Sequence, residues 1–133
     1  MSLQPISHKQ IDAILPFLDR FEASGFSPGT WRSPLGRPWF SFTETVIEFL
    51  RTLLDHGWVN RSFDWTKWQD TAKEYVQAPD RIESADAETI QRLFTTHVRK
   101  ERFCEGHLAA MFENGHVRAL LRRLREIRGT MAN

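Results

Sequence analysis

The stretch from His97 to Leu124, HVRKERFCEGHLAAMFENGHVRALLRRL, restricts most narrowly what this chain can fold into. Val117, Leu120, Leu121, Leu124 and Ile127 recur at i, i+3, i+4, i+7 and i+10, one face of an α-helix. Arg118, Arg122 and Arg125 fall on the opposite side. Just upstream, Cys104, Leu108, Met111 and Phe112 make a second apolar stripe. Asn114-Gly115 separates the two and supplies residues that accept a left-handed helix end. Ile90, Leu93, Phe94, His97 and Val98 make a third stripe, with Asp86 or Ser84 as its N-cap. Three amphipathic helices joined by short turns must bury their stripes against one another and against the rest of the chain. The expected fold class is therefore all-α.

At 133 residues the chain has the size of one domain with a real core, and residues 1–133 are read as a single helical domain. An apolar content of 41%, including ten Phe and five Trp, argues against disorder. No apolar run approaches the roughly 18 residues of a membrane span, so no membrane partner is expected. No basic-then-apolar leader opens the chain. One cysteine cannot form an internal disulfide, which favours a cytoplasmic protein.

The N-terminal half is read from its caps and breakers. Ser7-His8-Lys9-Gln10 has the form of a capping box. Ile11, Ile14, Leu15, Leu18 and Phe21 follow at helical spacing, and Pro16 inside that run predicts a kink or a late helix start. Residues 24–41 hold three prolines and three glycines, yet also Phe26, Trp31, Trp39 and Phe40. Ser33-Pro34-Leu35-Gly36 reads as a β-turn, so the 26–42 loop is expected to carry a short β-hairpin. Such a loop is either pinned to the core by its aromatics or forms a wall of a ligand cleft. Ser41-x-x-Glu44 reads as a second capping box, followed by Val46, Ile47, Leu50, Leu53 and Leu54 and a stop at His56-Gly57. Asp64 is the expected cap of a helix carrying Trp65, Trp68, Ala72, Tyr75 and Val76, which ends before Pro79. The total is about six helices.

Phe63-Asp64-Trp65 with Trp68, then Tyr75, then Ala85-Asp86, and above all Arg99-x-x-Arg102-Phe103-x-x-Gly106 followed by Gly115 and Leu121–Leu124, carry a family resemblance. Over about residues 20–125 the chain resembles the DUF6508 family, a small prokaryotic domain of unknown function. The resemblance implies no activity, and no site residue can be carried over from it. It does point to the same 97–106 corner as the helical pattern.

Charge gives a weak lead. The net charge is +1, which calls for no particular partner. The first 85 residues carry nine basic and eleven acidic side chains, and the remainder nine and six. Between His116 and Arg128 there are five arginines and one glutamate. The ordinary meaning is a solvated helix face. The sharper one is a helix-turn-helix in which residues 104–113 and 117–128 bind DNA through Arg118, Arg122 and Arg125. Against it stand the near-neutral charge, arginines spread along the whole helix, and few residues that read bases, so nucleic acid is not the favoured partner.

The 97–106 corner holds the other candidates. Arg99 and Arg102, three apart, suit bidentate recognition of a carboxylate or phosphate, with Trp31 or Trp39 as cleft walls. Glu101 and Glu105 share a face if the helix continues through Phe103, and with His97 could do acid–base work of a hydrolase kind. The commoner role of such a corner is internal Arg–Glu pairing around a hydrogen-bonded core histidine. His97, Glu101, Cys104 and His107 are metal-ligand types, but their spacing is not that of a structural zinc site and no HExxH occurs. Cys104 then reads as a small buried hydrophobe. No G-x-S-x-G, P-loop or G-x-G-x-x-G is present. No metal or cofactor is expected. The reading is a helical module of unknown function that binds a small acidic ligand or a protein partner. Its candidate residues are His97, Arg99, Glu101, Arg102, Glu105, Trp31 and Trp39.

Overall fold

Ser7 starts the first helix as its pattern requires: its hydroxyl accepts the Gln10 amide and the Gln10 side chain accepts the Ser7 amide. In a computed structural model describing residues 5–131, that helix is α1, His8–Ile14. Pro16 does more than kink it. A second helix, α2, Pro16–Glu22, begins at the proline, where a missing N–H costs nothing. This break is why the described residues form seven α-helices where about six were expected. Ile11 and Ile14 of α1 and Phe17, Leu18 and Phe21 of α2 are all buried.

The hairpin is present. Strands β1, Gly29–Arg32, and β2, Trp39–Phe42, pair antiparallel with Trp31 opposite Phe40 and Arg32 opposite Trp39. Between them Pro34–Gly36 forms a 3₁₀ turn closed by Gly36 N–H to Ser33 O. Ser41 lies inside β2, so it caps nothing. The next helix, α3, Glu44–Asp55, starts after Thr43 without a side-chain cap. Its buried side is Val46, Phe49 and Leu53, whereas Ile47 and Leu54 are about half exposed. The expected stripe was rotated, because Phe49 and its ring neighbours claim the core side.

After α3 the chain crosses the core at Trp58, which is fully buried. Its indole donates to Gln10 O at 2.9 Å, and Gln10 in turn donates to His56 O at 2.9 Å. Asp64 does not cap a helix backbone through its side chain; it accepts the Thr66 hydroxyl, and a 3₁₀ turn over Trp65–Trp68 precedes α4, Gln69–Gln77. A further 3₁₀ segment, Pro79–Ser84, leads into α5, Ala87–Glu101. Asp86 is its N-cap, accepting Thr89 N–H at 2.8 Å. The last helices are α6, His107–Glu113, and α7, His116–Gly129.

Helix α7 is the axis of the packing. Leu120, Leu121 and Leu124 are fully buried, and α7 touches α1, α2, α5, α6 and the Pro79–Ser84 segment. Phe21 stands edge-on to Phe49 and to Phe112, each 5.0 Å away between ring centres. Among the described residues no helix is long and apolar enough to cross a membrane.

The last two helices, α6 and α7, each start after a left-handed glycine, Gly106 (φ 94°) and Gly115 (φ 85°). Their surroundings differ. A Cβ on Gly106 would stand 2.6 Å from the Trp31 ring, whereas one on Gly115 would meet only the end of the Arg118 side chain, at 3.2 Å. Gly115→Ala should therefore cost about 1 kcal/mol and Gly106→Ala about 1–3 kcal/mol, read from urea unfolding midpoints. Equal losses would mean that the hairpin does not rest on Gly106.

Candidate functional site

The 97–106 corner is built by the end of α5. That helix stops at Glu101, so Glu101 and Glu105 do not share a helical face. Residues 102–106 form a turn instead. The start of α6 has no cap of its own, since Gly106 has no side chain. Glu101 supplies it from the preceding helix: one carboxylate oxygen accepts Leu108 N–H at 2.8 Å and the other Gly106 N–H at 3.1 Å. Glu105 accepts Phe40 N–H at 2.8 Å and ties the hairpin to this turn. Both carboxylates thus hold backbone amides. The hydrolase-like arrangement of His97, Glu101 and Glu105 is left without support.

The arginines go elsewhere. Arg99 and Arg102 line an open groove of about 510 Å³ with Arg61, Leu54, Val59 and Val98. Neither pairs with Glu101 or Glu105, and none of these three arginines has an ion pair among the described residues. His97 does not reach that groove. Trp31 lies over Gly106 with its outer face half exposed, and Trp39 is 42% exposed on β2. Neither walls the groove. Cys104 is exposed in the turn, because α6 begins only at His107 and the stripe position expected at Cys104 never forms.

The helix-turn-helix reading loses its basic face. Arg122 is ion-paired with Glu22 of α2, its Nε at 2.8 Å. Arg128 holds Asp12 of α1 at 2.7 Å, and Arg123 donates to Ala85 O at 2.8 Å. Arg125 faces a groove in which Asp80, Glu83 and Glu126 offset Arg122, Arg123 and Arg125, so it is not a basic face. The Arg118 Nε is buried without a hydrogen-bond partner. With its apolar side in the core and Arg122, Arg128 and Arg123 tied to Glu22, Asp12 and the Ala85 carbonyl, α7 lends the helix-turn-helix reading no support.

What the fold does bring together is three histidines. His97 is buried in α5. Its Nδ1 lies 2.9 Å from His107 Nε2, and its Nε2 lies 2.9 Å from His116 Nε2. His107 and His116 are the first residues of α6 and α7, each directly after its left-handed glycine. His116 is anchored by its amide, which donates to Asn114 Oδ1 at 2.9 Å. Because His97 uses one ring nitrogen toward each neighbour, the three rings form a chain. They do not converge on a common point, and among the described residues no group of three such side chains is placed to hold a metal ion.

The chain is neutral. Burial pushes His97 well below its ordinary value, and the neighbouring His116, His107 and Lys100 act in the same direction. Burial and Lys100 lower His107 to about 4, and burial and His107 lower His116 to about 4. The positive ends of α6 and α7 oppose a charge on either ring as well.

His97 and His107 open onto a cleft of about 200 Å³ between α4, α5 and α6. Gln69, Lys73, Thr96 and Lys100 give it polar groups, and Ala72, Val76 and Met111 give it apolar ones. No acidic residue lines it, and neither lysine has an ion pair among the described residues. Of the residues expected at a site, His97 alone is here. Lys73, Lys100 and His116 were missed as site residues, and His107 stood out only as a metal-ligand type. The available signal was the Gly-His pair, which occurs at 106–107 and again nine residues later.

All three histidines bind fewer protons folded than unfolded, so stability rises with pH between the folded and unfolded values. Unfolding free energy should be level above about pH 7 and fall as pH drops from 6.5 toward 4. His116 alone should account for a loss of about 2 kcal/mol by pH 4.5. Chemical denaturation across that range tests this, and a flat profile would contradict the neutral chain.

Neither a curated protein nor a solved structure matches this chain. A family model described as a family of unknown function, DUF6508, matches residues 6–130. That span takes in α1 through α7 and every residue of the histidine chain and its cleft, and the protein therefore belongs to the DUF6508 family.

Proposed function

We propose that the protein is a small-ligand-binding module and that the cleft between α4, α5 and α6 takes a small carboxylic acid. One observation carries this reading: Lys73 and Lys100 line the same cleft with no carboxylate partner among the described residues, beside the edge of His107. Two lysines without a carboxylate partner, Lys73 exposed and Lys100 half-buried, make the lining of the cleft cationic and favour an anion. Ala72, Val76 and Met111 supply apolar contact for a short carbon chain. A neutral imidazole can donate a hydrogen bond to the carboxylate without adding charge. An exposed lone thiol, Cys104, fits a reducing compartment, and we place the protein in the cytoplasm of a prokaryotic cell.

The volume suits a ligand of about five or six heavy atoms, for which a Kd of roughly 50 µM to 1 mM is the physical expectation. Isothermal titration with acetate, propanoate, lactate and succinate tests it. Propanoate or lactate should saturate, and Lys100→Ala should weaken binding by about tenfold or more. The double variant Arg99→Ala/Arg102→Ala, in the other groove, should bind as the parent does. Lack of saturation at about 10 mM, or loss in the arginine variant alone, would reject the cleft as the site.

A further inference from the structure

The histidine chain does not end in the cleft. His116, at its far end, lines a second and smaller cavity of about 80 Å³ with Val76, Pro79, Ile82, Asn114, Gly115 and Ala119. Val76 belongs to the walls of both cavities. Three imidazoles thus run from one cavity to the other through the side chain of His97, which is 2% exposed.

We infer that His107, His97 and His116 form a proton relay joining the two cavities, so that whatever occupies the cleft sets the tautomer of His116 at the other end. The inference follows from what two N···N contacts of hydrogen-bond length permit. Each contact needs one N–H and one lone pair. A neutral ring has one of each, so the three rings have only two joint arrangements. In the first, His107 and His97 carry the proton on Nδ1 and His116 carries it on Nε2. His116 then donates to His97, His97 donates to His107, and the Nδ1–H of His107 is left to serve the cleft. In the second, His107 and His97 carry the proton on Nε2 and His116 on Nδ1, and every bond in the chain points the other way.

Passing from the first to the second balances atom by atom. A proton leaves His107 Nδ1 into the cleft, His107 Nε2 takes the proton of His97 Nδ1, and His97 Nε2 takes the proton of His116 Nε2. His116 Nδ1 then takes a proton from solvent in the second cavity. The net result is one proton moved from the His116 side to the cleft, with no heavy atom displaced and all three rings neutral before and after. The surroundings of the chain keep it so: Lys100 on α5 opposes a charged ring at His97 and His107, Lys73 on α4 is the other charged side chain lining the cleft, and the second cavity contributes only neutral side chains besides His116. A carboxylate in the cleft accepts hydrogen bonds and therefore selects the first arrangement. This coupling to ligand rests on the acid-binding reading of the cleft; the relay itself rests on the chain alone.

Long-range ¹H–¹⁵N spectra of the imidazole rings in the full-length protein at pH 7.5 distinguish the two tautomers of each histidine. In the free protein His97 and His107 should share a tautomer and His116 should show the opposite one, or all three should average in that relation. His97 and His107 in opposite tautomers, His97 and His116 in the same one, or any of the three protonated at that pH, would overturn the relay. Saturation with propanoate should move the ratio toward Nδ1–H at His107 and His97 and Nε2–H at His116 by at least about tenfold. Propanoate that binds through Lys100 but leaves His116 unmoved overturns the relay and leaves the binding site standing. If propanoate does not bind, the acid-binding reading falls, and His107→Ala decides the relay without ligand. That variant should change the tautomer ratio at His116, which has no hydrogen bond to residue 107. An unchanged ratio overturns the relay.

Discussion

The bond between the Glu101 carboxylate and the amides of Gly106 and Leu108 is the constraint on which the C-terminal half depends. A seven-residue helix that starts on glycine has exposed amides and no cap of its own. Glu101 satisfies them from the last turn of α5, and in doing so it fixes how sharply the chain reverses between the two helices. The geometry of that reversal then places the first residue of α6, His107, beside His97, one turn back along α5. A carboxylate that the sequence pattern offered as a catalytic group is instead the clamp that assembles the histidine chain.

The hairpin shares this dependence. Glu105, at the same turn, accepts the Phe40 amide, and Trp31 covers Gly106 at a distance no side chain could share. The aromatic loop therefore acts as a brace on the α5–α6 turn. Its tryptophans do not wall the cleft, which opens on the other side between α4, α5 and α6. On α7 the arginines act in a similar way. Arg122, one of the three offered as a nucleic-acid face, holds Glu22, and Arg128 holds Asp12, and so they draw α2 and α1 onto the central helix. Such partly exposed pairs contribute little stability each, but they fix the side of α7 that the N-terminal helices cover.

Much of the fold was legible because it is written locally. The capping box at Ser7, the cap at Asp86, the break at Pro16 and the hairpin turn at Ser33–Gly36 depend on residues within a few positions of one another. The stripes of α5 and α7 were legible for the same reason. The misreadings were those in which distant packing overrode a local pattern. Ile47 and Leu54 look like core residues by spacing, yet Phe49 is drawn inward by Phe17, Phe21 and Phe112, and the helix turns with it. Cys104 looked buried because its stripe assumed a helix that begins only three residues later, at His107. The site was less legible than the fold. His97 stood out as a polar residue on an apolar face, but nothing local marks Lys73 as its neighbour across a cleft.

By itself the sequence determined an all-helical chain with one short hairpin, because helical period, caps and turn residues are short-range properties. It also determined that His97 would lie in the core, since it occupies a stripe position between Phe94 and Val98. Only the tertiary structure decided that three histidines ten and nine residues apart would meet, and that two lysines would face them unpaired. Those contacts require the angle at which α6 and α7 return across α5. That angle is fixed by the Glu101 clamp, by two left-handed glycines and by the packing of Leu120, Leu121 and Leu124 in the core, and a periodic pattern records which residues are buried but not the partners they meet.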